Sequence, residues 1–389
     1  MNSLLDQLIT WRRHLHQNPE LSFQEYETQA YLWQQLERLD GIYLRKAANT
    51  GIIADLITDT AGPWIALRAD MDALPMEETP ERPYRSLYNG RMHACGHDAH
   101  MAILLGAIYL LYQQRAHWKG GIRCIFQPGE EKAPGGASLL LQEGILQEVP
   151  IQGIWGLHVT PQLPVGQIGL RSGAFMAASD EFSLILQGRG GHAAYPHLSR
   201  DLIAIGASLI MELQMVVSRA ADPRSPTVLS FGQFQAGTAA NIFPTQAHLR
   251  GTLRTFDEKW RQDARALIQR IVSHTATAWE IEAELTFLPG YPVLQNDPTL
   301  TALTRRWVVE LLGEASTLEM PLWLGSEDFA FYSHVVPACF MRLGTGGEHP
   351  HTRLPVHTPA FDIDERGLEI GARLFAHIAL RALAHFQAS

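Results

Sequence analysis

The sequence predicts an α/β protein: a mixed, mostly parallel sheet with helices on both faces, interrupted by a smaller βαββαβ (ferredoxin-like) domain. Apolar residues make up 46 % of the 389 residues and charged residues 18 %, a balance typical of a chain that fills real cores. Outside residues 177–289, short apolar runs alternate with segments of helical period, as in parallel sheets covered on both faces. The length of 389 residues also indicates two domains, at ~150 residues per domain.

The first part of the chain opens with two helical segments and continues with alternating strands and helices. Periodicity predicts helices at roughly 3–17, 25–39, 98–115 and 136–143, and strands at 51–57, 63–70, 122–126 and 153–158. Ligands of such folds bind at the carboxyl ends of the strands. Asp70, Asp72, the pair Glu130 and Glu131, and His158 all stand where an apolar run stops. We therefore expect these side chains at one edge of the sheet.

The middle of the chain follows a different order. Strands are predicted at 180–187, 228–235, 247–256 and 281–288, and helices at 258–278 and at 199–219, where Ser199 is the N-cap candidate. This β-α-β-β-α-β order is that of a compact unit in its own right. Alternation then resumes with a helix at 298–312, a strand at 338–343 and a helix at 364–386. The sequence thus predicts a main domain at 1–176 and 290–389, split by an inserted domain at 177–289.

Charge and cysteine content narrow the class of protein. The 31 basic and 40 acidic residues leave a net charge of −9, and the basic residues are scattered, which argues against a nucleic-acid partner. Three cysteines in so long a chain indicate a reducing compartment. The start of the chain carries Asp6 within its apolar stretch and arginine only after it, the reverse of a secretory signal. We expect a soluble, cytoplasmic protein with no membrane partner.

The densest group of candidate ligands is Met92-His-Ala-Cys-Gly-His-Asp-Ala-His100. Cys95 and His97 flank a glycine, so a tight turn could direct both side chains to one point, and thiolate and imidazole are good ligands for zinc-like ions. A polar loop that caps the following helix would explain the same residues. Cys95 could also be a nucleophile activated by a histidine, although two candidates so close in sequence suit a metal better.

A second candidate group is Phe126-Gln-Pro-Gly-Glu-Glu131. A turn at the end of the strand could bring both carboxylates into one cleft, one for a metal and one as a proton carrier. A solvated pair of glutamates in a loop is the alternative. Whether His158 and His357 are metal ligands is equally undecided, because a lone histidine is more often a hydrogen-bonded structural residue than a ligand. A role as metal ligands is favoured only if the fold brings the two histidines next to the first two groups.

The inserted domain contributes His192, Asn241 and Arg254. The glycine-rich run at 187–191 lacks the Lys-Ser/Thr ending of a P-loop, so phosphate binding is not favoured. A histidine, an amide and a guanidinium could instead hold a substrate carboxylate. Ordinary polar residues on surface strands remain the alternative.

Seven motifs in a fixed order carry a family resemblance: Arg68-Ala-Asp-Met-Asp-Ala-Leu-Pro75, MHACGHDAH, FQPGEE, Leu157-His-Val, Gly190-Gly-His-Ala-Ala-Tyr-Pro-His197, Gly325-Ser-Glu-Asp-Phe329 and His357-Thr-Pro-Ala-Phe-Asp-Ile-Asp364. Together the motifs resemble the amidohydrolase branch of the dinuclear metallopeptidase superfamily. That branch contains hippurate hydrolases, N-acyl-amino-acid amidohydrolases and plant auxin-conjugate hydrolases. The resemblance extends over the whole chain and implies an inserted lid, or dimerisation, domain.

The resemblance also implies roles for single residues. It implies five metal ligands: Cys95, His97, Glu131, His158 and His357. We assign Cys95 as the bridge, with His97 and His158 on one ion and Glu131 and His357 on the other. It further implies Glu130 as general base, Asp72 as the carboxylate that orients a ligand or tunes the site, His192 as an oxyanion donor, and, more loosely, Asn241 and Arg254 as substrate-binding residues. Gly129 departs from the family pattern, which more often has alanine there, and we expect it to loosen the turn slightly.

The implied reaction is hydrolysis of the amide bond of N-acyl-L-amino acids, such as hippurate or N-acetyl-amino acids, by a metal-activated water. The implied cofactor is two divalent metal ions, Zn, Mn, Co or Ni, and the implied assembly is a homodimer or homotetramer. A dipeptidase or an N-acetyl-diaminopimelate deacetylase with the same centre, acting on short peptides or related amides, is the nearest alternative. A non-catalytic protein that binds acyl-amino acids or peptides is a remote one.

Overall fold

The structure is a computed structural model that describes residues 3–79, 81–288 and 290–388. The chain divides into two compact units. The main unit comprises Met1–Gly173, Gln295–Pro321 and Asp328–Ser389, and the inserted unit comprises Ala174–Leu294 together with Leu322–Glu327. The boundaries of the insertion therefore fall at 173/174 and 294/295, where the sequence predicted 176/177 and 289/290, and a short later segment joins the inserted unit.

The helices and strands of residues 3–176 begin with two helices and continue with alternating strands and helices. In chain order they are α1 (Leu4–Gln17), α2 (Tyr26–Leu36), β1 (Ile42–Ala47), β2 (Gly51–Ile57), β3 (Trp64–Asp70), α3 (His97–Gln113), β4 (Gly121–Gln127), α4 (Gly136–Gln142), β5 (Ile151–Pro164), β6 (Ile168–Leu170) and β7 (Gly173–Met176).

The remaining elements complete the inserted unit and then return to the main unit. In chain order they are β8 (Ala178–Gln187), β9 (Gly191–His192), α5 (Leu202–Met215), β10 (Thr227–Ala236), β11 (Ile242–Phe243), β12 (Gln246–Thr255), α6 (Glu258–Trp279), β13 (Glu282–Leu288), β14 (Leu294–Asn296), α7 (Pro298–Leu312), β15 (Thr317–Glu319), α8 (Ala330–Ser333), β16 (Ala338–Gly346) and α9 (Arg366–Ala388).

The main unit is built on an eight-stranded sheet of order β1-β2-β4-β3-β5-β16-β6-β15. Pairs β4/β3, β3/β5, β5/β16 and β6/β15 are parallel, and β1/β2, β2/β4 and β16/β6 are antiparallel. Every residue of β3 and of β4 is buried, as expected of strands covered on both faces. The predicted mixed, mostly parallel sheet is confirmed.

The register of the parallel strands brings the carboxyl ends of β3 and β4 side by side. Asp70, the last residue of β3, lies opposite Gln127, the last residue of β4. The segments that follow these two strands therefore leave the sheet at the same edge, where ligands of such folds collect. On the other side of β3, β5 pairs in parallel with β16 and sets His158 opposite Arg342.

The inserted unit carries a four-stranded antiparallel sheet of order β10-β12-β8-β13. Its chain order, β8-α5-β10-β12-α6-β13, is the predicted βαββαβ arrangement. Apolar residues of the sheet, α5 and α6 form a core of their own, separate from that of the main unit. A two-stranded ribbon of β9 and β11 also belongs to this unit.

Local details differ from the sequence predictions. The N-cap of α5 is Asp201, whose side chain accepts the N–H groups of Ile203 and Ala204; Ser199 instead follows a 3₁₀ turn at Pro196–Leu198. Both are favourable N-cap residues, and the turn decides between them. The strand that contains His158 continues to Pro164, so His158 lies within the strand and not at its end.

Among the described residues, one helical stretch, Leu202–Ala220, has the length and mean hydropathy of a membrane span. It combines α5 with a π-helical turn at Val216–Ala220, and 33 % of its most apolar 18-residue window is buried. A core helix of a soluble protein passes the same test, so this single stretch is weak evidence for a membrane.

Candidate metal centre

The turn between Cys95 and His97 depends on its glycine. Gly96 has a φ of +88°, and a Cβ built on it would lie 2.3 Å from Cγ2 of Val159. Both the backbone conformation and the space therefore require glycine. The turn leads directly into α3, whose first residue is His97. Cys95 and His97 are thus fixed by the backbone at the amino end of a buried helix.

Asp72 holds the turn that carries the two glutamates. Its carboxylate accepts the backbone N–H of Glu130 at 3.0 Å and that of Glu131 at 2.9 Å, and the Ser22 hydroxyl donates to it at 2.6 Å. Burial alone would raise the pKa of Asp72, but the facing imidazole of His97, the Ser22 hydroxyl and the Glu131 N–H outweigh it and lower the pKa. Asp72 is therefore a charged, buried anchor for both glutamates.

The five side chains predicted as ligands meet in space. Cys95 Sγ lies 3.2 Å from Nε2 of His158 and 3.2 Å from Nε2 of His357. Glu131 Oε1 lies 3.3 Å from His357 Nε2 and 4.0 Å from His97 Nε2. They form two groups of candidate donors, Cys95–His97–His158 and Cys95–Glu131–His357, which share the thiol. This grouping has the same pattern as the two-ion arrangement assigned from the sequence.

The chemistry of these donors fits divalent cations. His97 Nε2 and Glu131 Oε1 are buried and have no hydrogen-bond partner among the described residues, whereas most buried polar atoms of proteins have one. Burial disfavours a charge on His97, but Asp70, Asp72 and Glu131 outweigh it and raise its pKa to about 10. Burial, together with the nearby carboxylates, raises the pKa of the Cys95 thiol. A divalent cation bound here would supply a counter-charge to these acidic groups.

Neighbouring backbone carbonyl groups orient two of the three imidazoles. His97 Nδ1 lies 2.8 Å from the carbonyl oxygen of Asp72, and His158 Nδ1 lies 2.6 Å from that of Val159. In each ring Nδ1–H donates, which leaves Nε2 as the ligand atom. His357 has a φ of +61°, and its N–H donates to the carbonyl of Ala94 at 2.8 Å. Its loop is thereby tied to the turn that carries Cys95.

Two supporting residues were not predicted from the sequence. His100 lies one helical turn after His97; its Nδ1 is 2.6 Å from Asp70 Oδ1, and its Nε2 accepts the N–H of Val159 at 2.9 Å. Asp70, His97 and His100 also form a candidate group of metal donors. Since both nitrogens of His100 already have partners, we interpret it as a brace between α3 and the strand of His158. The motif MHACGHDAH contains His100, which was the available signal.

A second support comes from α1, far away in sequence. Arg12 is completely buried; it donates to Asp98 at 2.7 Å and to Asp362 at 2.8 Å, and a third bond reaches Glu365 at 3.3 Å. Asp98 follows His97, and Asp362 lies five residues after His357. Arg12 therefore joins the two segments that carry these histidines. Periodicity marks Arg12 only as part of a helix.

The remaining predicted residues lie in the inserted unit. His192 is exposed on β9, and its Nδ1 accepts the N–H of Ala194 at 3.1 Å. Asn241 is its neighbour, because its carbonyl accepts the N–H of Ala193 and β11 follows directly. Arg254 is on β12 and donates to the Ser326 hydroxyl at 3.2 Å; burial lowers its pKa. The ribbon thus brings His192 and Asn241 together, while Arg254 lies on a different strand.

Comparison with known proteins assigns the chain to a family. Residues 66–381 match the sequence pattern of "Peptidase family M20/M25/M40". The chain belongs to this family. An N-acetylcysteine deacetylase of Bacillus subtilis (strain 168) is 40 % identical over 381 residues, 97 % of each chain. An N-acyl-L-amino acid amidohydrolase of Geobacillus stearothermophilus is 43 % identical over 291 residues, 75 % of this chain and 78 % of the relative.

A solved M20 structure extends the similarity to the fold. The crystal structure of a dinuclear metal-binding peptidase of family M20 from Bacillus subtilis has 36 % sequence identity and a TM-score of 0.83, and the match covers 98 % of this chain and 99 % of that one. This M20 protein is accordingly a hydrolytic enzyme, as the motifs predicted, and its family includes proteins with two-metal centres.

Proposed function

We propose that the protein is a metal-dependent amidohydrolase that cleaves the amide bond of N-acyl-L-amino acids. The observation that carries this proposal is the meeting of five side chains next to Glu130: Cys95, His97, Glu131, His158 and His357. Two of their buried ligand atoms, His97 Nε2 and Glu131 Oε1, have no hydrogen-bond partner within the part of the chain that the structure describes. The relatives named for N-acetylcysteine and for N-acyl-L-amino acids support this substrate class.

Each group of the main unit has a defined task in this reaction. The five ligands would hold two divalent cations, which when bound supply Lewis-acid polarisation of the amide carbonyl and acidification of water. Glu130 accepts a proton from the attacking water while the water oxygen bonds to the carbonyl carbon. Glu130 then passes that proton to the amide nitrogen as the C–N bond breaks. Asp72 keeps Glu130 in place through the backbone N–H. The products are a carboxylate and a free amino acid.

The inserted unit supplies the proposed substrate contacts. His192 would donate to the developing oxyanion, a role that elsewhere is worth about 2.7–4 kcal/mol per donor. Arg254 and Asn241 would bind the carboxylate of the amino acid, a task for which a guanidinium fork is suited. The Ser326 hydroxyl accepts one guanidinium N–H of Arg254, which limits the orientations of its side chain.

The test is hydrolysis by the purified enzyme of N-acetyl-L-amino acids, hippurate and dipeptides, with Zn, Mn, Co or Ni added separately and the free amino acid measured. We expect the N-acyl substrates to be cleaved fastest. Glu130→Gln should lower kcat by about 10²–10⁴-fold while the protein keeps its metal. Near-normal turnover by Glu130→Gln with metal bound would refute the mechanism, and faster cleavage of dipeptides would replace the substrate assignment by that of a dipeptidase.

We further propose that the protein is a cytoplasmic homodimer or homotetramer. Its three cysteines are free and buried, which suits a reducing compartment.

The proposed interface between copies is the exposed face of α5. Helix α5 exposes Ile203, Met211 and Met215, of which Met211 is 70 % exposed; an apolar face of this kind suits contact with a second copy. Met211→Glu should dissociate the oligomer in sedimentation experiments, and an unchanged mass would exclude this face.

A further inference from the structure

Three consecutive backbone N–H groups of the glutamate turn are all accepted by carboxylates. Glu130 and Glu131 donate to the two oxygens of Asp72. The residue before them, Gly129, donates to Oε1 of Glu25 at 2.8 Å. Glu25 lies 104 positions away in the chain and belongs to none of the motifs that carry the family resemblance. A second buried acid therefore holds the same turn that Asp72 holds.

The side chain of Glu25 does not cap the helix that it precedes. It is the N-cap residue of α2, where a side chain normally accepts an N–H of the first helical turn, but its side chain makes no capping bond. Instead, Oε1 also accepts the N–H of Phe23 at 2.9 Å, and the Thr50 hydroxyl donates to Oε2 at 2.6 Å. The side chain is fully buried. The side chain of Glu25 thus bonds Gly129 of the glutamate turn, Phe23 and Thr50, and not the first turn of α2.

The two residues that donate to Glu25 Oε1 both have left-handed backbones. Phe23 has a φ of +67° and Gly129 a φ of +59°. A bulky residue adopts this conformation only at a cost of about 1–3 kcal/mol, and it persists where the surroundings enforce it. A Cβ on Gly129 would lie 2.3 Å from the Phe23 ring. The Phe23 ring therefore occupies the space that an alanine methyl at position 129 would need. Gly129 was expected to loosen the turn slightly, but the Phe23 ring and the Glu25 carboxylate hold the turn in place.

We propose that Glu25 is a positioning residue for the general base, through its hydrogen bond to the residue that precedes Glu130. This inference rests on the proposed function of Glu130. Asp72 holds the two peptide planes that flank Glu130, through the N–H groups of Glu130 and Glu131. Glu25 holds the plane that precedes them, through the N–H of Gly129. Loss of one anchor would let the carboxylate of Glu130 move relative to the substrate. Misplacement of a reacting group by about 1 Å can cost about 10²-fold in rate.

The test compares Glu25→Ala, Glu25→Gln and a matched control, Glu20→Ala, in the metal-loaded enzyme with an N-acetyl-L-amino acid as substrate. Glutamine keeps an oxygen for the two N–H donors, and its amide can donate to Thr50, whose hydroxyl rotates to accept. Glu20 also precedes α2, and its carboxylate likewise accepts a backbone N–H, that of Thr28 at 2.8 Å. Its removal therefore deletes a bond of the same kind without touching the glutamate turn.

We expect Glu25→Ala to lower kcat by about 10- to 100-fold with KM changed less than about threefold, and to retain the metal content of the wild type. Glu25→Gln should restore kcat to within about threefold, and Glu20→Ala should keep the wild-type kcat even where it lowers thermal stability. A purely structural role of Glu25 would give a different pattern, in which kcat follows the stability of all three variants.

Three results would overturn the inference: a normal kcat in Glu25→Ala, an equal loss in Glu25→Gln, or an equal loss in Glu20→Ala. Glu130→Gln is measured in the same series to keep the two proposals apart. An active Glu130→Gln contradicts the assignment of the base, whatever Glu25 does. An inactive Glu130→Gln beside a fully active Glu25→Ala leaves the base in place and removes Glu25 from its support.

Discussion

Replacing Glu25 by glutamine should change how the stability of the protein depends on pH. Burial, followed by the nearby charge of Asp72, raises the pKa of Glu25 from 4.5 to about 7, and the hydrogen bonds from Thr50 and Phe23 oppose this rise without cancelling it. In the unfolded chain the same carboxyl group titrates near its ordinary value. Between these two values the folded protein holds a proton that the unfolded chain has released.

The sign and size of the effect follow from this difference. Where the folded state binds more protons, the free energy of unfolding falls as the pH rises. The stabilising contribution of protonated Glu25 is complete below about pH 4.5 and is lost as the pH passes through about 7. With about 1.4 kcal/mol per pH unit, the loss between pH 5 and pH 8 amounts to about 2.5 kcal/mol. Glutamine has no proton to release, so the variant lacks this loss.

The measurement is urea unfolding of the wild type and of Glu25→Gln between pH 5 and pH 8, followed by tryptophan fluorescence, with a chelator present so that metal release does not contribute. The difference in unfolding free energy, variant minus wild type, should rise by about 2.5 kcal/mol over this range. A difference that stays constant would show that Glu25 is already ionised at pH 5. In that event its hydrogen-bond donors outweigh burial, and the reasoning is wrong.

Three further substitutions test the centre. Gly96→Ala should lower the free energy of unfolding by about 1–3 kcal/mol and reduce bound metal, because the left-handed turn against Val159 admits no Cβ; thermal unfolding and metal analysis measure both, and an unchanged metal content would contradict the reading of the turn. Arg12→Ala leaves Asp98 buried without its guanidinium and should cost about 3–5 kcal/mol in urea unfolding, so a loss below about 1 kcal/mol would argue against this pair. Cys95→Ser should bind less metal, because a hydroxyl replaces a thiolate poorly, and full occupancy would mean that Cys95 is not a ligand.

Several features of this protein were determined by local sequence. The helix predicted at 298–312 coincides with Pro298–Leu312 because Asp297 caps it and proline occupies its first position, both of which are local signals. The predicted ends of strands β3 and β4 agree with the observed ends to within about one residue, because fully buried strands form continuous apolar runs. The alternation of apolar runs with helical segments predicted the fold class, and the ordered motifs predicted the family and hydrolysis as the reaction type.

Other features were decided by the tertiary structure. Ser199 and Asp201 are equally good caps by residue type, and the turn at Pro196–Leu198 selects Asp201. The supports of the centre are also invisible in sequence: Glu25 contacts Gly129 from 104 positions away, and Arg12 contacts Asp362 from 350 positions away. Periodicity and capping depend on neighbours within a few residues, so a sequence displays them directly. Distances between donor atoms, and the burial that shifts their pKa values, arise only when strands and helices that are remote in the chain pack together.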